Sequence, residues 1–200
     1  MSSINIENEI RRVLRIEADS IGTLSQTLDY GELTKAVHAI SSCSGKIVAS
    51  GCGTSGAACK KIVHSLCCIE RPAVFLSPAD AVHGALGILQ GDDILILVSK
   101  GGSTQELVQL LHARKVKKAT LIAVTENPDS ILAREADIPI IVKVKSEPCR
   151  FNMLATASTL AVISTFDAIC IAVMQLTDYS REQFALIHPG GAVGERLLSK

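Results

Sequence analysis

The chain has no excess charge of either sign: twenty Lys and Arg offset twenty Asp and Glu, and the formal net charge is zero. No global field draws in a polyanion, so neither nucleic acid nor a membrane surface is expected as a partner. The one basic cluster, Arg114, Lys115, Lys117 and Lys118, reads as the solvated end of a helix, where cations complement the dipole. An apolar leader is also missing, because Glu7, Glu9, Arg11 and Arg12 occupy its place. With seven cysteines, an odd number, this makes a reducing cytoplasm the expected compartment. No repeated CxxC completes a set of four ligands, so Cys59, His64, Cys67 and Cys68 read as buried residues, and no metal or cofactor is expected. There is no GKS or GKT, which disfavours an ATP-type phosphate loop. Internal repeats and a linker are absent too, and the chain is expected to form one unit over residues 1–200.

One long stretch is nearly free of charge. Residues 153–176 carry only Asp167, and as a helix they would be about 36 Å long, enough to cross a bilayer. Thr156, Ser158, Thr159, Ser164, Thr165 and Gln175 make the stretch too polar for lipid, so a helix buried against a sheet or a second subunit is expected.

Apolar positions Ile10, Val13, Leu14, Ala18, Ile21, Leu24 and Leu28 follow the spacing of one helix face, and a shorter helix is expected over residues 32–40. Residues 1–45 are thus a helical lead-in to residues 46–200. There the pattern changes to brief β-rich runs at residues 46–50, 73–76, 93–99, 119–125 and 138–142. Helical stretches at 55–68, 104–117 and 130–136 alternate with them. Alternation implies parallel strands, and unbroken apolar runs such as Ile94, Leu95, Ile96, Leu97 and Val98 imply helices on both faces. The predicted architecture is a three-layer α/β/α sandwich around a five-stranded parallel sheet.

Ligands of such sheets lie beyond the carboxyl ends of the strands, where loops expose amides and the positive ends of helices. Two loops are suited to that. Gly51-Cys52-Gly53-Thr54-Ser55-Gly56 offers close backbone approach and a hydroxyl pair. Ser99-Lys100-Gly101-Gly102-Ser103-Thr104 offers three hydroxyls, one cation and unpaired amides, a combination that fits a phosphate. The first loop also matches GxGxxG, but the second strand ends Phe75-Leu76-Ser77-Pro78, without the acid that a dinucleotide ribose needs. A small phosphorylated ligand is the better expectation.

These loops, together with His83-Gly84-Ala85-Leu86-Gly87 and His188-Pro189-Gly190-Gly191-Ala192-Val193-Gly194, resemble the SIS (sugar isomerase) domain, and most of all the arabinose 5-phosphate isomerases, without their CBS domains. The resemblance implies a flavodoxin-like sheet binding a sugar phosphate, in a homodimer or homotetramer with shared sites. It also implies a phosphate grip by Gly53, Thr54, Ser55, Ser99, Gly101, Gly102, Ser103 and Thr104. Ser99 and Thr104 match the family's phosphate loop, while Gly101 stands where a second serine is usual. Thr54 and Ser103 stand where these isomerases usually carry lysine and glutamate. Glu147, His188 and His83 match.

Moving a carbonyl between adjacent sugar carbons needs a base and a group that stabilises or protonates the enediolate oxygen. Glu147, after the last strand, is expected as base with its pKa raised by partial burial, and His188 as ring opener or proton shuttle. The resulting expectation is an aldose–ketose sugar-phosphate isomerase. The alternative is a phosphosugar-binding regulatory protein that has lost turnover along with the lysine and glutamate.

Overall fold

The computed structural model describes residues 5–190. Helix α1 (Ile6–Thr27) begins at Asn5, whose side chain accepts the Asn8 amide, and α2 (Tyr30–Ser42) begins at Asp29, which accepts the amides of Gly31 and Glu32. The strands are β1 (Ile47–Gly51), β2 (Ala73–Phe75), β3 (Ile94–Val98), β4 (Thr120–Thr125) and β5 (Ile138–Ile141). All pair in parallel, in the order β2-β1-β3-β4-β5. Connecting them are α3 (Gly53–Cys67), the short α4 (Pro78–Ala81) with a 3-10 turn at Ala85–Ile88, α5 (Gln105–Val108), α6 (Leu110–Lys117) and α7 (Ile131–Glu135). Then follow α8 (Ala157–Leu176) and α9 (Arg181–Ile187).

Each central strand is buried on both faces, because alternate side chains enter different cores. Ile47, Ala49, Ile94, Ile96 and Val98 pack with Ile62, Phe166 and Val173 of α3 and α8. Val48, Leu95, Leu97, Leu121 and Ala123 pack with Leu107, Leu110 and Leu132 of α5, α6 and α7. The predicted three-layer α/β/α sandwich with five parallel strands is thus observed. The start of the sheet is fastened by the buried Asp93, whose carboxylate accepts the Lys46 amide (2.9 Å), the Gln90 amide (2.7 Å) and the Lys46 ammonium (2.7 Å).

Three elements differ from expectation. The helix predicted over 104–117 is broken at Gln109 into α5 and α6. The long apolar helix starts at Ala157 instead of residue 153, since the amides of Met153 and Leu154 are donated to Cys149 Sγ in a loop. The basic run is not simply solvated. Arg114 donates to the Ala119 carbonyl and pairs with Asp137, and Lys117 donates to the Leu89 carbonyl. Helix α8 is long and apolar enough to cross a membrane, yet it packs against α1, α2 and α3. Gly191 to Gly194 of the His188 motif lie outside the described residues.

Candidate functional site

In the order β2-β1-β3-β4-β5 the connections leave β1 and β3 in opposite directions, so a crevice opens between the loops that follow these two strands. Both glycine-rich loops lie there. The first turns from β1 directly into α3, with Gly56 packed so closely that a Cβ would lie 2.6 Å from the Gly51 carbonyl oxygen. Its capping residue Cys52 makes no side-chain hydrogen bond to the helix. The amides of Gly53, Thr54 and Ser55 have no partner among the described residues.

The second loop is tied into the body of the protein at three points. Ser99 Oγ lies 2.8 Å from Thr104 Oγ1 and accepts the Gly102 amide at 3.1 Å. The Lys100 carbonyl accepts from Thr125 Oγ1 (2.8 Å) and the Glu126 amide (2.9 Å). Gly102 sits at φ +68° beneath Ser130 and Thr125, and its carbonyl accepts the Leu132 amide. Ser99 and Gly102 are buried, Thr104 is half-buried, and Gly101 and Ser103 are exposed. The amides of Ser103, Thr104, Gln105 and Glu106 have no partner among the described residues. A hydroxyl couple and four free amides on one short turn are the kind of donors an anion accepts from.

Glu147 is the most constrained of the predicted residues. Its carboxylate accepts the Lys100 ammonium at 2.8 Å, the Thr156 amide at 3.0 Å, the Ser158 amide at 3.4 Å and the Ser158 hydroxyl. Burial alone pushes the carboxyl up. The hydrogen bonds from Lys100, Ser158 and Thr156, with the Lys100 charge, hold it below the ordinary carboxylate value instead. The direction is therefore opposite to the expected upward shift, because Lys100 of the loop after β3, Ser158 in the first turn of α8 and the Thr156 amide all donate to the carboxylate.

A cavity of about 50 Å³ opens at the β1/β3 crevice, lined by Thr54, Ser55, Lys100, Glu126, Ser158 and Thr159 among others. Two open grooves flank it. One, of about 410 Å³, runs past Gly53, Ser77, Lys60 and Glu106. The other, of about 520 Å³, runs past Lys100, Gly101, Glu126, Lys143 and Lys145. The site thus brings together Gly53, Thr54, Ser55, Ser99, Gly101, Gly102, Ser103, Thr104 and Glu147, all near the carboxyl ends of β1, β3 and β5.

The two histidines are placed differently. His83 follows α4, exposed, with no side-chain hydrogen bond among the described residues. His188 caps α9 at its carboxyl end, stacked on Phe184 at 4.0 Å with Nδ1 2.9 Å from the Phe184 carbonyl oxygen. Helix α9 is tied to Glu70, in the turn after α3, by a hydrogen bond from Gln183 Nε2 (3.2 Å). That turn lies at the opposite edge of the sheet, one length of α8 away. Twenty residues of helix measure about 30 Å. A chain's own His188 therefore does not meet its own Glu147. The residues that sequence reasoning left unassigned are Lys100, Glu126 and Ser158. Lys100 was visible as the loop's one cation, but the folding of α8 over Glu147 leaves no local pattern.

Among the described residues no group of three or more His, Cys, Asp or Glu is arranged to hold a metal ion. Cys59 is buried, whereas His64 and Cys67 are exposed and Cys68 is half-exposed with Sγ 3.7 Å from His64 Nε2, so burial describes only the first of the four.

Comparison with known proteins gives a consistent picture. The SIS domain model matches residues 40–177. The chain is 35% identical over 198 residues to arabinose 5-phosphate isomerase KdsD of Pseudomonas aeruginosa, covering 99% of this chain and 60% of that one. It is 34% identical over 195 residues to KdsD of Yersinia pestis, covering 98% and 59%. The chain thus spans about 60% of the length of the curated relatives it matches. Among solved structures, a Listeria monocytogenes protein provisionally named a sugar-phosphate isomerase superposes with TM-score 0.93 at 56% identity, covering 95% of this chain and all of that one. An Escherichia coli CFT073 protein in complex with arabinose 5-phosphate superposes with TM-score 0.89 at 28% identity, covering 94% and 100%.

Proposed function

The chain belongs to the SIS domain family, and from that premise we propose that it is a sugar-phosphate aldose–ketose isomerase working through an enediolate. The observation that carries this reading is the cradle after β3: the Ser99–Thr104 hydroxyl pair and the free amides of residues 103–106, facing the loop that begins α3. Thr54, Ser55 and Gly53 contribute the other wall. The relatives are named for arabinose 5-phosphate isomerisation, and one structural neighbour holds that sugar phosphate. A pentose or hexose phosphate is therefore the substrate class we assign.

In this reading Glu147, ionised at neutral pH, moves the proton between carbons, and His188 and His83 act on the sugar's oxygens. His188 then belongs to a site on a second copy of the chain, since its own site lies a helix length away. Apolar side chains left open on α1 and α8 support such pairing: Ile6, Ile10 and Leu14 are 72%, 55% and 59% exposed, and Ile171 is 58% exposed. Residues 1–45 are then part of the assembly surface of one SIS unit in the cytoplasm. No cofactor enters the chemistry.

The test is proton exchange, followed by NMR in deuterated water over a panel of pentose and hexose phosphates. Deuterium uptake at the second carbon with interconversion supports the isomerase. Saturable binding without uptake identifies a phosphosugar sensor instead, the reading that Thr54 and Ser103 would favour.

A further inference from the structure

We propose that Lys100 is a catalytic residue of this site: its ammonium leaves Glu147 for an oxygen of the bound sugar, and its departure uncovers Glu147 as the base. The inference rests on the isomerase reading above and adds a residue to it. The Glu147 side chain has no exposed surface, while Lys100 is 38% exposed. Lys100 and Ser158 line the small cavity, and Glu147 lies behind them. No proton on a ligand carbon reaches the carboxylate until one of the two moves. Ser158 is fixed in the first turn of α8, so Lys100 is the group able to move.

Its backbone is held, because the Lys100 carbonyl accepts from both Thr125 Oγ1 and the Glu126 amide. Only the flexible four-carbon side chain swings. Among the described residues Lys100 is also the only cation lining the cavity, and it separates that space from the groove of about 520 Å³. The cavity alone, at about 50 Å³, is far below the roughly 300 Å³ of ordinary small-molecule sites. Swinging Lys100 aside joins the two. Charged groups near the pair are Glu126, 4.0 Å from Nζ, Lys143 and Lys145 across the groove, and Arg12, which donates to the Pro148 carbonyl beside Glu147. The two lysines disfavour a retreat outward, and the negative oxygen of a developing enediolate offers a better partner.

The step balances within the substrate. Glu147 takes the proton from the second carbon, the C–H electron pair forms the carbon–carbon double bond, and the carbonyl pair moves to the first oxygen, where Lys100 donates a hydrogen bond. Glu147 then returns the proton to the first carbon. The hydroxyl on the second carbon becomes the new carbonyl, and its proton passes to the first oxygen.

Lys100→Met and Lys100→Arg in the full chain test this. Lys100→Met is expected to lower kcat at least a hundredfold with KM changed less than threefold, and Lys100→Arg to recover at least tenfold of that loss. The second readout is a carbon-13 titration of labelled Glu carboxylates with arabinitol 5-phosphate, which cannot isomerise; Glu147→Gln assigns the signal. In the wild type, Glu147 is expected to titrate at least one pH unit higher with the probe than without it; in Lys100→Met it starts high and does not respond. A kcat within threefold of wild type, or a Glu147 titration indifferent to the probe in the wild type, overturns the proposal. If the wild type converts no sugar phosphate but the titration moves as expected, the isomerase reading falls and the release of Glu147 stands. If it neither converts nor binds any, both fall.

Discussion

Ser99 Oγ and Thr104 Oγ1 stand 2.8 Å apart, bonded to each other across a turn in which the amides of residues 103–106 have no partner within the described chain. A phosphate entering that turn replaces one neutral hydrogen bond with two donated to an anion, and hydrogen bonds to charged groups are about twice as strong. Removing the Thr104 hydroxyl leaves the fold untouched but takes one donor from the ligand, about 1.5–3 kcal/mol of binding. Thr104→Ala should therefore weaken sugar-phosphate binding about tenfold to a hundredfold, measured by calorimetry, with melting temperature shifted by less than about 2 °C.

The two glycines of the same turn should behave oppositely. A Cβ on Gly102 would lie 2.1 Å from Ser130 Oγ and 2.4 Å from Ser130 Cβ, at a φ of +68°. Ser130 is itself the cap of α7, accepting the Ala133 amide. Left-handed strain and overlap together make Gly102→Ala destabilising by about 2–4 kcal/mol. At Gly101 nothing lies within 4 Å of an added Cβ. Gly101→Ser, which adds a hydroxyl to the exposed part of the turn, should leave thermal stability unchanged and keep or tighten ligand binding. Denaturant melts and calorimetry check both.

Asp93 should be a main determinant of stability, because its buried carboxylate closes the turn before β3 onto the residue before β1. Asp93→Ala strands the Lys46 and Gln90 amides and is expected to cost about 3–5 kcal/mol in urea unfolding. Lys46→Met should cost less, since the carboxylate keeps both amides.

The carboxylates of Asp93 and Glu147 are expected to contribute to the acid sensitivity of the fold. Burial alone raises Asp93, but Lys46 and the Lys46 and Gln90 amides hold it below its ordinary value, and Glu147 is lowered likewise. A carboxylate with a depressed folded pKa contributes its full stabilisation above its unfolded pKa and loses it as the pH falls through the folded value. Stability should therefore be flat near neutrality and fall below about pH 4, the ordinary carboxylate range. In Glu147→Gln the slope of unfolding free energy against pH there should be shallower than in the wild type. An equal slope would show that Glu147 titrates in the folded protein as it does in the unfolded one.

Much of the fold was legible because period and composition express it directly. The runs around Ile47, Ile94 and Leu121 are apolar at consecutive positions, as parallel strands covered on both faces are. The break at Gln109 was not legible, since α5 and α6 share one continuous apolar pattern. The cradle was legible as hydroxyls and glycines on consecutive residues. The charge state of Glu147 was not, because its donors come from Lys100 and Ser158, 47 positions before it and 11 after it. His188 shows the same limit from the other side: its motif marks it, while only the length of α8 shows which site it cannot reach.

In the proposed isomerase the turn after β3 receives the phosphate ester of the substrate. Titration calorimetry of the full chain with arabinose 5-phosphate and with unphosphorylated arabinose tests it most directly. Saturable heat is expected from the ester, none from the free sugar, and loss of most of that heat in the Ser99→Ala/Thr104→Ala double variant. Equal response to both sugars, or undiminished binding of the ester by the double variant, would contradict it.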